Sequence, residues 1–259
     1  MKGANFVLDI FRYTEISESS HRIFNPLSEA KLDLLGQICR LGPGQRHLDL
    51  ACGRGEMLCR YARDHGTNGV GIDIYPPQLR AARARAAELG VTGAVRFVEG
   101  DAAHPEELGS GFDLVSCIGA TWIGNGLEGT LDIMKARGRP GAFIVVGDVF
   151  WANEPRPEVR REREAAETFA DLGGTLERIE GAGLELVEML IATSEEWDRY
   201  QATQWMSASD WVAAHPGHPD AAEVAAWTDR SRRSYLCDLR ASMGWGVFVT
   251  RQPGSRAAR

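Results

Sequence analysis

The chain has 259 residues, of which 44% are hydrophobic, so it is long enough to bury the core of one full α/β domain. Its formal net charge of −7, without a long block of lysine or arginine, argues against nucleic acid as a partner. The five scattered cysteines include no CxxC pair, and no apolar run approaches about 18 residues, so we expect a cytoplasmic protein with no metal site and no membrane partner.

The first 45 residues are expected to form a helical cap. Two helices are predicted there, over residues 16–24 and 29–41, and Asn25-Pro26 is the break between them. These helices have no strand pattern beside them, so we expect them to cover one edge or face of a sheet built by the following residues.

From residue 46 to residue 150, short β-rich runs alternate with helical patterns, which is typical of stacked βαβ units around a parallel sheet. The five predicted strands, each apolar enough to be covered on both faces, are 46–51, 69–74, 95–101, 112–119 and 142–150. The helices between them are predicted at 56–66, 76–90 and 127–141.

The last third of the chain does not continue this alternation of strands and helices. Residues 152–169 are strongly polar and are interpreted as a solvated linker and helix face. Residues 176–193 are expected to form a helix and a strand, about fifty mostly helical residues follow, and a last strand is predicted at 244–252. The fold class is therefore α/β, with one domain over residues 46–259, a helical insertion at about 192–243 and a disordered end from residue 253.

A glycine-rich turn follows the first strand in the stretch HLDLACGRGEML, residues 47–58. In a doubly wound sheet this turn lies at the carboxyl edge, where ligands bind. The dinucleotide fingerprint G-x-G-x-x-G needs a third glycine, but here Gly53 and Gly55 are followed by Leu58. The chain therefore lacks the most specific element of the motif that a nicotinamide-dependent oxidoreductase would carry.

Two aspartates stand at the ends of the next strands. Asp73 ends the second predicted strand, where a carboxylate can accept both hydroxyls of a ribose, and Asp101 ends the third, where it can accept from an adenine amine. Each could instead cap the following helix when taken alone. The glycine turn, Asp73 and Asp101 follow three successive strands, and together they favour a nucleoside ligand.

With these residues the chain, over about residues 46–151, resembles the class I S-adenosylmethionine-dependent methyltransferases, which have a Rossmann-like, mostly parallel seven-stranded sheet with helices on both faces. The stretch DLACGRG is similar to the family motif D/E-x-G-x-G-x-G, with Ala51 in place of the first glycine. The resemblance implies that Asp49 orients the methionine part of the cofactor and that Asp73 holds its ribose. The other cofactor-binding residues that it implies are Ala51, Cys52, Gly53, Gly55, Ile74, Asp101, Ala102, Cys117, Ile118 and Gly119.

The fourth strand end favours a small-molecule acceptor. Methyltransferases that act on amino groups of bases or amides typically carry N/D-P-P-Y there, whereas this chain has Cys117-Ile118-Gly119-Ala120. Aromatic residues near the predicted sheet edge, the cap and the insertion are expected to bind the acceptor, namely Tyr13, Trp122, Trp151 and Trp205. Helical spacing in the insertion leaves the alternative that Trp205 is packed in a helix core.

A general base, if the reaction uses one, is sought among four residues: His21, Asp148, His215 and His218. His21 and Asp148 are the two catalytic candidates. The alternative is that these two residues only position the reactants. His215 and His218 belong to HPGHP, which is more typical of an exposed turn than of a metal site. Cys52 has no neighbour in sequence that would activate it as a nucleophile.

The leading hypothesis is therefore an enzyme that transfers a methyl group from S-adenosylmethionine to an O, N or C nucleophile of a small, partly apolar metabolite. An enzyme that uses the same cofactor for another reaction, such as cyclisation of its aminobutyryl arm, remains an alternative. So does a binding protein without methyl transfer, while an NAD-dependent oxidoreductase is a more distant alternative.

Overall fold

A single sheet of seven strands organises the computed structural model, which describes residues 2–164 and 169–254. The strands of the described residues are β1 (Arg46–Leu50), β2 (Asn68–Asp73), β3 (Val95–Glu99), β4 (Phe112–Ile118), β5 (Gly138–Trp151), β6 (Glu185–Ile191) and β7 (Met243–Arg251). Their order across the sheet is β3-β2-β1-β4-β5-β7-β6. Strand β7 runs antiparallel to both of its neighbours, and the pairs among β1 to β5 are parallel.

Two helices precede β1, and further helices lie in most of the connections between the strands. In chain order they are α1 (Lys2–Ser17), α2 (Glu29–Ile38), α3 (Glu56–His65), α4 (Pro76–Glu88), α5 (Leu127–Lys135), α6 (Pro157–Glu164), α7 (Leu172–Gly181), α8 (Ser194–Ala214) and α9 (Ala221–Arg233). The predicted doubly wound, mostly parallel sheet is therefore confirmed. The strand order reverses between β1 and β4, and this switch point is where open α/β sheets bind ligands.

The centre of the sheet is buried on both faces, as the apolar strand sequences predict. Leu48, Leu50, Val115, Ile144 and Val146 are fully buried in one cluster, and the alternating residues Leu114, Val145 and Val247 are buried in a second one. Helices α8 and α9 and the π-helical residues 234–239 lie between β6 and β7, where the sequence predicted a helical insertion.

Leu58 fits on α3 because the neighbouring strand has no side chains there. A methyl group added to Gly69 of β2 would lie 2.7 Å from Leu58 Cδ2, and one added to Gly71 would lie 2.7 Å from Leu58 Cδ1. The glycines that permit close packing of helix on strand are thus on β2 rather than on α3. This arrangement explains how the turn tolerates leucine at the third motif position.

The first predicted helix is in the wrong place. The structure has helix over Lys2–Ser17, whereas most of the predicted range 16–24 is a turn and bends. Carbonyl groups of this segment accept hydrogen bonds from distant side chains: Arg54 donates to Ser19 and His21, and Tyr200 donates to Phe24. Such tertiary bonds compete with the helical ladder and are not visible in the local pattern. The second helix is confirmed as α2, which ends at Ile38.

Two boundaries also differ around the fourth and fifth strands. Helix α5 ends at Lys135 and β5 begins at Gly138, so the residues predicted to end the helix join the sheet instead. The register moves from Phe112–Gly138 to Leu114–Phe143, and this bulge absorbs the extra residues. Strand β3 ends at Glu99, which leaves Asp101 just beyond it.

The polar stretch 152–169 contains α6, and its residues 165–168 lie outside the described residues. Most of the end predicted to be disordered, residues 255–259, also lies outside them. Across 2–164 and 169–254, none of the helices combines the length and apolar character needed to cross a membrane.

Candidate active site

The glycine turn between β1 and α3 is built from left-handed backbone. Ala51, Gly53 and Gly55 have φ values of 55°, 52° and 65°, and the N–H of Gly55 donates to Cys52 O at 2.9 Å. Glycine adopts this conformation without steric cost, which is the physical reason for glycines in the motif. Ala51 adopts it as the non-glycine exception, and its backbone still lines the cavity described below.

Asp73 closes this turn from the end of β2. One carboxylate oxygen accepts from Gly53 N at 2.8 Å and the other from Tyr75 N at 2.9 Å. Burial raises the pKa of the Asp73 carboxyl, while these backbone donors lower it. A carboxylate has about four acceptor directions, so Asp73 keeps acceptor capacity for a ligand hydroxyl. Asp101 repeats the local pattern, with Oδ1 accepting from Ala103 N at 2.8 Å.

Asp49 lies beneath the turn in a buried hydrogen-bonded chain. The hydroxyl of Ser116 donates to Asp49 Oδ1 at 2.6 Å, and Nε2 of His47 lies 2.7 Å from the same hydroxyl oxygen. Burial raises the pKa of Asp49 to about 7 and lowers the pKa of His47 to about 3. His47 is therefore neutral, and a positive ligand group would favour the Asp49 carboxylate over its protonated form.

A cavity of about 790 Å³ opens at the carboxyl ends of the strands, within the range of roughly 300–1,000 Å³ that small-molecule sites span. Its floor is the glycine turn and the ends of β1 to β5. One wall comes from α1 and residues 18–27, and part of another comes from α8. Trp122 stands at the edge with 65% of its surface exposed.

Most of the predicted site residues meet at this cavity. The thirteen that line it are Asp49, Ala51, Cys52, Gly53, Gly55, Asp73, Ile74, Asp101, Ala102, Ile118, Gly119, Trp122 and Asp148. Cys117 does not line it, because its side chain is fully buried in the sheet core below Ile118. His21 does not line it either, and Nδ1 of its ring lies 2.8 Å from the Glu18 carboxylate.

Three of the predicted acceptor residues lie elsewhere. Trp151 of β5 is buried and does not line the cavity, but its ring packs on Phe169, which does, with ring centroids 6.0 Å apart. Tyr13 stacks on Trp227 of α9, with ring centroids 5.9 Å apart. Trp205 packs against Tyr235, with ring centroids 5.9 Å apart, which agrees with the alternative that Trp205 is packed in a helix core.

Residues that the sequence did not single out also build the site. Arg54, inside the glycine turn, donates to the carbonyl oxygens of Ser19 and His21 at 3.2 and 2.8 Å. Its guanidinium also lies 4.7 Å from the centroid of the Phe24 ring. Asn25 donates to Ile118 O at 3.1 Å. These contacts fix residues 18–27 over the cavity.

A buried polar cluster on the same wall also escaped the sequence analysis. The carboxylate of Glu18 accepts from the hydroxyl of Tyr200 and from Nε2 of Gln204, both on α8. Glu18 lies more than 180 positions before Tyr200 and Gln204 in the chain, so no sequence spacing could reveal the cluster. Glu18 and Tyr200 line the cavity.

The charges of the cavity suit a cationic ligand. Helix α3 begins with Glu56, where a dinucleotide would place its pyrophosphate, and this carboxylate is paired with Arg85. Asp49 and Asp73 lie on the same cavity floor, so a phosphate group would face these acidic side chains. The ammonium and sulfonium groups of S-adenosylmethionine, which has no phosphate, would be attracted instead.

Comparisons with known proteins agree with this geometry. A family model described as a methyltransferase domain matches residues 48–141. A methyltransferase from Geobacter sulfurreducens, whose crystal structure is in complex with S-adenosyl-L-homocysteine, superposes with a TM-score of 0.86 at 40% identity over 92% of this chain and 97% of that chain. This chain belongs to the class I S-adenosylmethionine-dependent methyltransferases.

Two curated relatives of this methyltransferase differ in how much of it they match. The uncharacterized protein YjhP of Escherichia coli (strain K12) is 39% identical over 245 residues, which cover 93% of this chain and 98% of the relative. Nocamycin O-methyltransferase of Saccharothrix syringae is 41% identical over 95 residues, or 36% of this chain and 32% of the relative. The family expected from the glycine turn and the strand ends is confirmed, and the oxidoreductase alternative is set aside.

Proposed function

We propose that this methyltransferase transfers the methyl group of S-adenosylmethionine to an O, N or C nucleophile of a small, partly apolar metabolite. One observation carries the proposal. A single cavity extends from the carboxylates at the ends of β1 to β3 to an aromatic wall formed by Phe24, Trp197 and Trp245. Cofactor and acceptor can therefore share one enclosed space, as a direct transfer requires.

The residues at the strand ends would hold the cofactor. Asp49 would pair with its ammonium group, the backbone from Ala51 to Gly55 would lie along its methionine part, and Asp73 would accept from the ribose hydroxyls. Ile74, Asp101, Ala102, Ile118 and Gly119 would surround the adenine and the sulfur. When bound, the cofactor supplies an activated methyl group, so the protein has to position a nucleophile and exclude water.

The acceptor would occupy the side of the cavity nearer to residues 18–27 and α8. Trp122 stands at the edge, and Asp148 faces the cavity from the end of β5, so Asp148 remains our candidate for accepting a proton. His21 does not line the cavity but contacts Glu18, so a role for His21 would be exerted through Glu18. The enclosed, aromatic lining and the acidic net charge favour a small molecule over a nucleic acid.

The proposal is tested with a methyl donor carrying a trideuterated methyl group. The protein is incubated with this donor and a library of small hydroxyl, amine and carbon-acid compounds, and products are read by mass spectrometry. We expect at least one compound to gain the labelled methyl group and S-adenosylhomocysteine to form in equal amount. Conversion of the donor to other products, with no compound labelled, would contradict methyl transfer to a small molecule.

A further inference from the structure

The strand register brings three polar side chains together inside the sheet. His47 and Asp49 are two positions apart on β1 and therefore point to the same face, and Asp49 is the register partner of Ser116 on β4. All three are buried, but Asp49 lines the cavity, whereas His47 and Ser116 do not. A ligand in the cavity would therefore contact His47 and Ser116 only through the carboxylate.

The surroundings of His47 and Ser116 are apolar. Val145, the register partner of Ser116 on β5, is buried in a hydrophobic cluster together with Tyr61. The Tyr61 ring lies 5.7 Å from that of His47, but its hydroxyl donates to Leu32 O. Burying polar groups in such a place costs stability that an aliphatic residue would not cost. This cost points to a role for the two polar residues beyond packing.

The direction of the hydrogen bonds follows from the donors and acceptors present. The hydroxyl of Ser116 has one proton, and its oxygen lies 2.6 Å from Asp49 Oδ1 but 3.4 Å from Leu48 O. The proton is therefore donated to the carboxylate, and the hydroxyl oxygen accepts from Nε2 of His47 at 2.7 Å. A neutral histidine has one ring N–H, so Nδ1 is then a bare acceptor.

The other side of the His47 ring agrees with this direction. Nδ1 is buried and has no hydrogen-bond partner among the residues that the structure describes. A buried N–H without a partner is costlier than a buried lone pair without one. The ring proton therefore belongs on Nε2, where Ser116 accepts it.

This chain acts on the charge and the orientation of Asp49. Burial raises the pKa of Asp49, and the hydrogen bond from Ser116 lowers it, so the bond opposes the effect of burial. Hydrogen bonds in a chain also polarise one another, so the His47 donor strengthens the bond that Ser116 makes. With Oδ1 held in this way, the carboxylate keeps further acceptor capacity for the cavity side.

We propose that Ser116 and His47 are positioning residues for the cofactor, which hold the Asp49 carboxylate towards its ammonium group without contacting the cofactor themselves. This inference rests on the proposed function, in which Asp49 pairs with that group. The effect is confined to the amino-acid part of the cofactor, because Asp73 would hold the ribose independently.

Two ligands that differ in the amino-acid part test this proposal. S-adenosylhomocysteine carries the ammonium group, whereas 5′-methylthioadenosine has the same adenosine and thioether sulfur but no amino-acid part. Calorimetry at about pH 8, above the Asp49 pKa of about 7, measures both ligands with the wild type, Ser116→Ala and His47→Leu. We expect both variants to bind S-adenosylhomocysteine about tenfold or more weakly and 5′-methylthioadenosine within about twofold of the wild type.

Two further variants separate positioning from a general loss of structure. His47→Gln keeps an N–H donor towards Ser116 and should restore most of the lost affinity. Thr250→Val also removes a fully buried hydroxyl from the sheet, one that donates to Ile144 O and does not line the cavity, and it should leave the ratio of the two affinities unchanged. Equal losses for both ligands in Ser116→Ala and His47→Leu, or no loss, would overturn the positioning role.

Asp49→Asn distinguishes this inference from the proposed function. If Asp49→Asn selectively weakens S-adenosylhomocysteine but the Ser116 and His47 variants do not, the positioning role alone is wrong. If S-adenosylhomocysteine does not bind the wild type, the proposed function itself is contradicted. Where a variant does not fold, nitrogen NMR of the wild type with S-adenosylhomocysteine bound decides: a His47 proton on Nε2 supports the proposal, and a proton on Nδ1 overturns it.

Discussion

Asp73 bonds two stretches of backbone through one carboxylate and also lines the cavity. It accepts from Gly53 N in the glycine turn and from Tyr75 N in the following segment. The interpretation of Asp73 as a local cap and its interpretation as a ribose ligand are therefore compatible. The backbone bonds hold the carboxylate in place before a ligand arrives.

Replacing this carboxylate should weaken cofactor binding more than it weakens the fold. Asp73→Asn keeps the shape but places an amide donor where an acceptor is needed, so we expect a loss of about 1.5–3 kcal/mol in S-adenosylhomocysteine binding, measured by calorimetry. Glu99→Gln is the matched control, because Glu99 pairs with Asp73 in the sheet register but does not line the cavity. Equal affinities of both variants and the wild type would remove Asp73 from the site.

Asp49 makes cofactor binding depend on pH. Its pKa of about 7 means that the free protein holds a proton there at pH 6, and a bound ammonium group favours the charged form, so binding releases that proton. Affinity for S-adenosylhomocysteine should rise from pH 5.5 towards pH 8, values that bracket about pH 7. Calorimetry in buffers of different ionisation enthalpy measures the release, and Asp49→Asn should abolish it.

The same proton makes the stability of the fold decrease as the pH rises. The folded pKa lies above the value of 3.8 of an ordinary aspartate, so the folded state binds more protons than the unfolded state between these two values. The contribution of Asp49 to stability is therefore fully present below about pH 4 and is lost as the pH rises through about 7. A melting temperature that falls less over this interval in Asp49→Asn than in the wild type would show this.

At the scale of elements, the turn depends on how α3 packs on β2. Leu58 occupies the space that glycines at positions 69 and 71 leave open. Gly69→Ala would place a methyl group 2.7 Å from Leu58 Cδ2, and we expect it to lower the free energy of unfolding by about 1–3 kcal/mol. Urea unfolding measures this loss.

A double-mutant cycle shows whether Leu58 is the cause. In a Leu58→Ala background, Gly69→Ala should cost less than in the wild type, with a coupling of at least about 0.5 kcal/mol. Gly93→Ala, which meets nothing within 4 Å, serves as the control and should be nearly neutral. Additive losses in the cycle would contradict this packing account.

Strong local patterns predicted the central elements, and tertiary contacts explain the failures. The apolar runs around Leu48, Val115 and Ile144 predicted their strands because both faces of the sheet are buried. Residues 18–24 were placed in a helix because their pattern permits one, yet their carbonyl groups bond to Arg54 and Tyr200 instead. Trp151 packs on Phe169 instead of lining the cavity itself, and its place on the strand does not reveal that contact.

At the scale of the whole molecule, the cavity joins three distant parts of the chain. The strand ends supply Asp49, Asp73 and Asp101, which the motif spacing could predict. The N-terminal segment supplies Glu18 and Phe24, and α8 supplies Tyr200, and these meet only after folding. The strand-end residues of the cavity could therefore be predicted from the sequence, whereas those of the N-terminal segment and α8 required the structure.

The central claim is that the glycine turn and the three strand ends form a site for S-adenosylmethionine. Calorimetric titration of the purified protein with S-adenosylmethionine, S-adenosylhomocysteine and NAD, in parallel, tests it most directly. We predict that both sulfur nucleosides bind with one site per chain and that NAD does not bind. Binding of NAD without either sulfur nucleoside would contradict the roles given to Asp49, Asp73 and Asp101.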